Sequence, residues 1–188
     1  MSIAELIRTR RSVRHYKPDP VPPELLSEVL ELAQWAPSAM NRQPWHFVVI
    51  EGAARGPVAA ECGKSFGAIE ERLKASFAER PDMVERVRAF FRTLGGAPTL
   101  ILAYCTAKPP HESDLESVAA AIQNLLLAAW ARGLGTCWMG GPAYREAEIN
   151  ALCGMEGAKL VAVIPIGYPD ETPKPPPRQT NRITHAGS

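Results

Sequence analysis

Apolar positions fall at helical spacing in some stretches of this chain and in unbroken runs in others, with proline or glycine at most of the changeovers. Ser2 to Thr9 places Ile3, Leu6 and Ile7 on one face, which predicts a short amphipathic helix ending at a cluster of arginines. Pro22-Pro23-Glu24-Leu25 opens a second helix, since proline is tolerated in a first turn. Leu25, Leu26, Val29, Leu30 and Ala33 form its apolar stripe, and Pro37 is expected to stop it. Trp45 to Glu51, with Phe47-Val48-Val49-Ile50 at its centre, predicts a strand. From Gly52 to about Gly95 the pattern is helical in pieces, with breaks expected at Gly63, Gly67 and Pro81.

Gly95-Gly96-Ala97-Pro98 then turns the chain into a buried strand, Thr99 to Cys105. Lys108-Pro109-Pro110 is a loop, after which Ser113 or Asp114 is expected to cap a helix running to about Arg132, with Glu116 adding favourable charge to its first turn. That helix is apolar nearly all round and so belongs at the centre of the structure. Gly133 suits its left-handed C-terminal residue. Gly135 begins a short strand that runs into the turn Gly140-Gly141, Tyr144 to Leu152 is helical, and Lys159 to Gly167 is a last strong strand. One domain over residues 1–188 is expected, with 169–188 as a proline-rich extended tail that has no core of its own. Short strands among more numerous helices, without regular βαβ alternation, indicate an α+β fold rather than a doubly wound sheet.

Composition changes this picture little. The 188 residues are 46% hydrophobic and 22% charged with a net charge of +1, which gives no global pull towards nucleic acid or an anionic membrane. No apolar run approaches the ~20 residues that span a bilayer. Met1-Ser2-Ile3-Ala4-Glu5 lacks the basic and apolar regions of a secretory signal, so cytoplasmic residence is expected. Cys62, Cys105, Cys137 and Cys153 are scattered, as are the histidines, so buried free thiols and no metal site are expected.

Several segments can carry chemistry. Arg10-Arg11-Ser12-Val13-Arg14 gathers guanidinium groups, which fork onto phosphate oxygens, beside a hydroxyl donor. By itself it equally fits a solvated basic surface or a nucleic-acid-binding arm. Pro37 to Gln43 sets Asn41 and Gln43 on a turn-rich connection, where planar amides suit recognition of a flat heterocycle. Alone it also fits an ordinary loop whose amides bond their own backbone. Trp45 reads as a core anchor. Gly133 to Gly141 lets another group approach the main chain closely, though it matches neither a dinucleotide nor a phosphate-loop pattern. Cys137 within it reads as a structural thiol, having no base nearby in sequence. Lys174-Pro175-Pro176-Pro177-Arg178 puts two cations on a proline-stiffened rod, either a solvated tail or a clamp onto a phosphate or a partner subunit.

In their order and spacing, Arg10-Arg11-Ser12-Val13-Arg14 and Ala36-Pro37-Ser38-Ala39-Met40-Asn41-Arg42-Gln43-Pro44-Trp45-His46-Phe47 resemble the nitroreductase family of flavoproteins. So do Gln123 to Ala129 with Gly133 to Gly141, and Ile166-Gly167-Tyr168-Pro169. The resemblance covers nearly the whole chain, with Gly52 to Gly95 non-specific. It implies an FMN-dependent oxidoreductase with a three-layer α+β sandwich: a mainly antiparallel central sheet flanked by helices, in an intertwined homodimer with two flavin sites at the interface. By motif match, Arg10, Arg11, Ser12 and Arg14 are expected on the phosphate, ribityl chain and pyrimidine edge. Ser38, Ala39, Asn41 and Gln43 are expected to line the flavin, in part from the partner subunit. The main chain of Trp138, Met139, Gly140 and Gly141 is expected to face the isoalloxazine, and Arg178 to reach the phosphate. The role of Lys174 stays open, because the proline run lets the alignment slide, and the tail is expected to wrap the partner.

The activity so implied passes hydride from NADH or NADPH through N5 of a tightly bound FMN to a nitroaromatic, quinone or similar small acceptor, in ping-pong fashion. No side chain is expected to act as a catalytic acid, since the flavin carries the chemistry. No motif reads a 2′-phosphate, so both donors stay open. Two other readings stand beside this one. The same fold serves specialised dehydrogenases, dehalogenases and flavin-fragmenting enzymes, and the short helices between Gly52 and Gly95 favour a small acceptor. Alternatively, Arg8 to Lys17 is a basic module for a polyanion, which predicts a colourless protein with salt-dependent binding.

Overall fold

The computed structural model describes residues 1–187. Its sheet contains β1 (Trp45–Glu51), β2 (Thr99–Cys105), β3 (Gly135–Thr136) and β4 (Lys159–Gly167), in the order β1-β2-β4-β3 with every neighbouring pair antiparallel. The helices are α1 (Ile3–Thr9), α2 (Pro23–Ala33), α3 (Arg55–Ser65), α4 (Glu70–Ser76), α5 (Pro81–Thr93), α6 (Glu112–Ala131) and α7 (Glu146–Cys153). This is the α+β sandwich anticipated from the sequence, and β1, β2 and β4 have the expected limits.

Every residue of β2 is buried, because helices cover both faces of the sheet. Ile101, Ala103 and Cys105 face α2 and α6, together with Ala162, Ile164 and Ile166 of β4. Leu100, Leu102 and Tyr104 face the other layer, where Val58 and Cys62 of α3 and Phe90 and Phe91 of α5 close the core. Side chains alternate along a strand, yet Leu160 and Val163 share a face. A register shift between Ala103 and Tyr104 skips Val161 and accounts for it.

Helix ends follow local chemistry, and some differ from expectation. Ser2 caps α1 in a reciprocal box with Glu5. Helix α2 stops at Ala33, short of Pro37, because the chain tightens through Trp35 N–H to Leu32 O and Ala36 N–H to Ala33 O, and a residue before proline disfavours the helical region. Gly63 does not break α3. A Cβ there would stand 3.5 Å from the Arg92 Cα, an ordinary contact, so the helix runs through this glycine without the crossing of α3 and α5 requiring it. Helix α6 is capped at His111, not at Ser113 or Asp114. Asp114 sits in its first turn and accepts the His111 N–H at 3.0 Å. Gly133 has φ +76, as a left-handed C-terminal residue should.

The arginine segment reaches the body of the fold through glycine. Val13 donates its N–H to the Thr136 carbonyl at 3.0 Å, and its side chain is wholly buried. A Cβ on Gly135 would lie 2.7 Å from the Val13 Cβ, so β3 can carry this neighbour only with glycine there. Gly95, at φ +65, gives similar clearance to the Arg14 carbonyl, and its own carbonyl accepts the Tyr16 N–H at 3.0 Å. Tyr16 locks the segment from beneath, its hydroxyl donating to the Val13 carbonyl at 2.6 Å and lying 3.2 Å from that of Pro165. Gly135→Ala is therefore expected to lower unfolding stability by about 1–3 kcal/mol, the cost of overpacking a filled site, as read by denaturant titration.

Candidate functional site

Arg10, Arg11 and Ser12 are half-buried and Arg14 is exposed on the segment just described. Among the described residues the arginines in ion pairs are Arg42, Arg86, Arg88, Arg132 and Arg145, so none of Arg10, Arg11, Arg14 and Arg178 has a carboxylate partner. Burial holds the Arg10 guanidinium below the ordinary arginine value, and the nearby charges of Arg11 and Arg178 add repulsion. The tail thus carries Arg178 near enough to Arg10 for its charge to be felt there. Arg11 is already engaged. Its Nη1 donates to the carbonyls of Arg8 at 2.8 Å and Arg10 at 2.6 Å, which closes the C-terminal end of α1. Arg14 lies over the Phe90 ring, 5.9 Å from its centroid, a contact that sequence spacing gave no means to find.

Beside these cations runs the chain from Gly135 to Gly141. Cys137 donates its N–H to the Pro165 carbonyl at 3.3 Å, and Met139 exchanges both main-chain bonds with Val163 at 3.0 Å. Strand alternation therefore turns Cys137 and Met139 inward and Trp138 and Gly140 outward. This corrects the expectation for Met139, whose main chain is spent on β4 and whose side chain is buried. Gly141 is also committed, since a Cβ there would meet the Phe91 ring at 2.7 Å. Gly140 is different: a Cβ there would meet nothing within 4 Å. Among the described residues no acceptor takes the N–H of Trp138 or Gly140. Burial raises the Cys137 thiol above the ordinary cysteine range, as fits a structural thiol.

The loop from Ser38 to Gln43 follows α2 and forms a short 3-10 turn at Ala39–Asn41. Met40, Asn41 and Gln43 all have positive φ, at 52°, 53° and 46°. The Gln43 side-chain amide donates to Asn41 Oδ1 at 2.8 Å, and Gln43 N–H donates to Ser38 Oγ at 3.1 Å. Both amides stand exposed beside Trp35, in a cleft of about 380 Å³. Trp45 is buried in the α2–α6 core, as a core anchor should be. The loop leans on the start of α6 through Ser117 and Asp114, which motif reading passed over.

The arginines gather at the other end of that helix, where Trp130 Nε1 donates to Thr9 Oγ1 at 3.1 Å. Ser117 and Trp130 are about 20 Å apart along an α-helix at ~1.5 Å per residue. One chain therefore brings together Arg10, Arg14, Arg178, Trp138 and Gly140, but sets Ser38, Ala39, Asn41 and Gln43 elsewhere. The root of the tail stays on its own subunit: Lys17 N–H donates to the Tyr168 carbonyl, Asp170 N–H to the His15 carbonyl, and Arg14 N–H to the Glu171 carboxylate. Beyond Thr172 the tail is mainly exposed and without regular structure, Lys174 included. What the arginine end can do is hold an anion by unpaired guanidinium groups, while Gly140 and two outward N–H groups admit a flat polar edge. Those features fit a phosphorylated ring cofactor.

The Nitroreductase family model matches residues 7–168. The nitroreductase NfnB of Mycolicibacterium smegmatis is 34% identical over 195 aligned positions, covering 89% of this chain and 82% of NfnB. A crystal structure of the FMN-dependent nitroreductase NfnB from Mycobacterium smegmatis in complex with NADPH superposes with a TM-score of 0.75, at 25% identity, covering 97% of both chains. A crystal structure of oxidised iodotyrosine deiodinase bound to FMN and 3-iodo-L-tyrosine gives a TM-score of 0.81 and 32% identity, covering 100% of both chains. Matched across its sheet, its arginine segment and its amide loop, the chain belongs to the nitroreductase family.

Proposed function

We propose that this protein is a homodimeric, FMN-dependent oxidoreductase that uses NADH or NADPH to reduce a nitroaromatic, quinone or similar small acceptor. The observation that carries the proposal is the division of the site between the two ends of α6. A twofold-related copy would bring the amide loop of one subunit to the arginines of the other. Exposed apolar side chains support this: Ile3 and Trp35 are each 76% exposed, and Ile7 and Met40 are exposed as well. The chain acts as one nitroreductase-like domain, and its tail past Thr172 lies over the partner subunit. Residence in the cytoplasm, where both pyridine nucleotides are held, is part of the reading; no helix among the described residues is long and apolar enough to cross a membrane.

In this reading Arg10 and Arg178 hold the FMN phosphate, which carries about two negative charges. Arg11 contributes its charge while closing α1, and Ser12 adds a hydroxyl beside it. Arg14, lying over Phe90, stabilises negative charge at the pyrimidine edge. Trp138 and Gly140 offer main-chain N–H donors, and the bare Cα of Gly140 leaves the ring face open. Ser38, Ala39, Asn41 and Gln43 complete the pocket from the partner, and Met139 and Gly141 fix the segment by packing inward. When bound, FMN would supply the redox chemistry, hydride uptake from NADH or NADPH and electron delivery to the acceptor. The protein's own work is binding, orientation and charge, and no side chain needs to move a proton as a general acid.

The likeness to iodotyrosine deiodinase favours a second reading of the same site, reductive dehalogenation. The visible spectrum of the purified protein, repeated after anaerobic NADH and then NADPH, tests the first reading. Flavin bands that bleach with either donor, followed by reoxidation with a nitroaromatic or quinone, are expected. Bands that reoxidise only with a halogenated phenol would select dehalogenation, and a colourless protein that FMN cannot reconstitute would end both. Arg10→Ala and Arg178→Ala should each weaken FMN binding about 10–100-fold, since a charge-assisted bond contributes roughly 1.5–3 kcal/mol. Full flavin retention in both variants would remove the phosphate from this cluster.

A further inference from the structure

The loop from Ser38 to Gln43 stands in a conformation that its own residues do not prefer. Left-handed backbone is unfavourable for most side chains other than glycine and asparagine, and here Met40 and Gln43 adopt it on either side of a left-handed Asn41. Met40 is 85% exposed, so burial of its own side chain does not hold it there. The bonds from Asn41 N–H to the Ser38 carbonyl, Arg42 N–H to the Ala39 carbonyl and Gln43 N–H to Ser38 Oγ fold the loop upon itself. None of them says where the loop stands relative to the rest of the molecule.

Two ties to α6 do. Ala39 N–H donates to Ser117 Oγ at 3.3 Å, and the Ser117 hydroxyl donates in turn to the Ser113 carbonyl at 2.6 Å, which leaves its oxygen facing the loop. Arg42 Nε lies 3.4 Å from Asp114 Oδ1. Asp114 is 0% exposed; its Oδ2 caps His111, and its Oδ1 accepts no hydrogen bond, so Arg42 is the cation it faces. A buried carboxylate stripped of its cation is strongly unfavourable, so a loop that swung outward would strand this charge. The strain within the loop and the charge beneath it thus oppose one another, and the position of both amides follows from the outcome.

We propose that Asp114 and Ser117 are positioning residues for the cofactor, holding the Ser38–Gln43 loop in its strained form through Arg42 and through the Ala39 N–H. This rests on the reading that the loop lines the flavin. The sequence holds no motif for such a role: Asp114 reads there as a helix cap, and Ser117 as an ordinary helical serine.

The test uses the full chain, stripped of flavin and titrated with FMN, with dissociation constant and visible circular dichroism of the bound flavin as readouts. Asp114→Asn and Ser117→Ala should each weaken FMN about tenfold and alter the flavin dichroism, a size usual for coupling within a bonded network. Arg42→Gln combined with Asp114→Asn should be no worse than either alone, because both remove one interaction. Glu70→Gln serves as the control. It breaks the Glu70–Arg88 pair between α4 and α5, away from the loop, and should leave both readouts unchanged. Wild-type affinity and dichroism in both α6 variants would overturn the proposal. So would losses that merely follow a lowered unfolding midpoint and appear equally in Glu70→Gln. If Asp114→Asn fails to fold, Ser117→Ala and Arg42→Gln, which spare the helix cap, decide the matter. Failure of the wild-type chain to take up FMN would instead overturn the functional reading itself, before any variant is compared.

Discussion

The seating of Val13 against Gly135 is the constraint on which the functional half of the structure depends. Strand β3 is only two residues long, an edge that could hold little by itself. It gains a neighbour because the missing Cβ of Gly135 lets the Val13 side chain occupy the space above the strand. Tyr16 then ties the same segment to the carbonyl at Val13 and stands near that of Pro165, so the stretch Arg8 to Lys17, with five cations in ten residues, is fixed against an apolar sheet. Without that anchor, the arginines would be a mobile basic arm. With it, they stand beside the outward N–H groups of Trp138 and Gly140, in register with β4.

Helix α6 does a second job by its length. Its inner face closes the core against β2 and β4, while Ala119, Ala120, Leu127 and Trp130 on other faces are only half-buried. An apolar helix left partly open on its outer side needs further cover. Its two ends carry different equipment: the buried carboxylate and serine that steady the amide loop, and the indole that meets Thr9 near the arginines. A rigid rod between the two ensures that one subunit cannot fold them onto each other. On the proposed reading, a site that draws on both ends therefore needs two subunits.

Much of this was legible in the sequence, and the reasons differ by element. Strands β1, β2 and β4 are apolar runs bounded by turn residues, so their limits could be read directly. The helices between Gly52 and Gly95 were legible only as a type. Gly63 looked like a break because glycine is a poor helix former, but that cost is only about 1 kcal/mol and α3 runs through it. For the candidate site, residue types named the segments but not which of their atoms are free. Met139 and Gly140 are adjacent and look alike as members of a glycine-rich turn. Only strand pairing, which commits one to Val163 and leaves the other open, tells them apart. Arg42, Asp114 and Phe90 act through contacts between distant segments, which no local pattern encodes.

Electrostatics supplies a last link between fold and function. Burial holds the half-buried Arg10 guanidinium below its ordinary value, and the neighbouring charges of Arg11 and Arg178 add repulsion at that one group. Natural chains usually relieve such a cluster with a carboxylate. Here the carboxylate of Glu171 accepts the main-chain N–H of Arg14, and among the described residues no ion pair neutralises the guanidinium groups of Arg10, Arg11 and Arg178. An anion that binds this cluster removes the repulsion and adds charge-assisted bonds at once, and it does so only in the folded state. Binding and stability are then linked, with the gain growing as the logarithm of ligand concentration over its dissociation constant. A cluster of guanidinium groups without carboxylate partners favours a doubly charged anion over a neutral ligand.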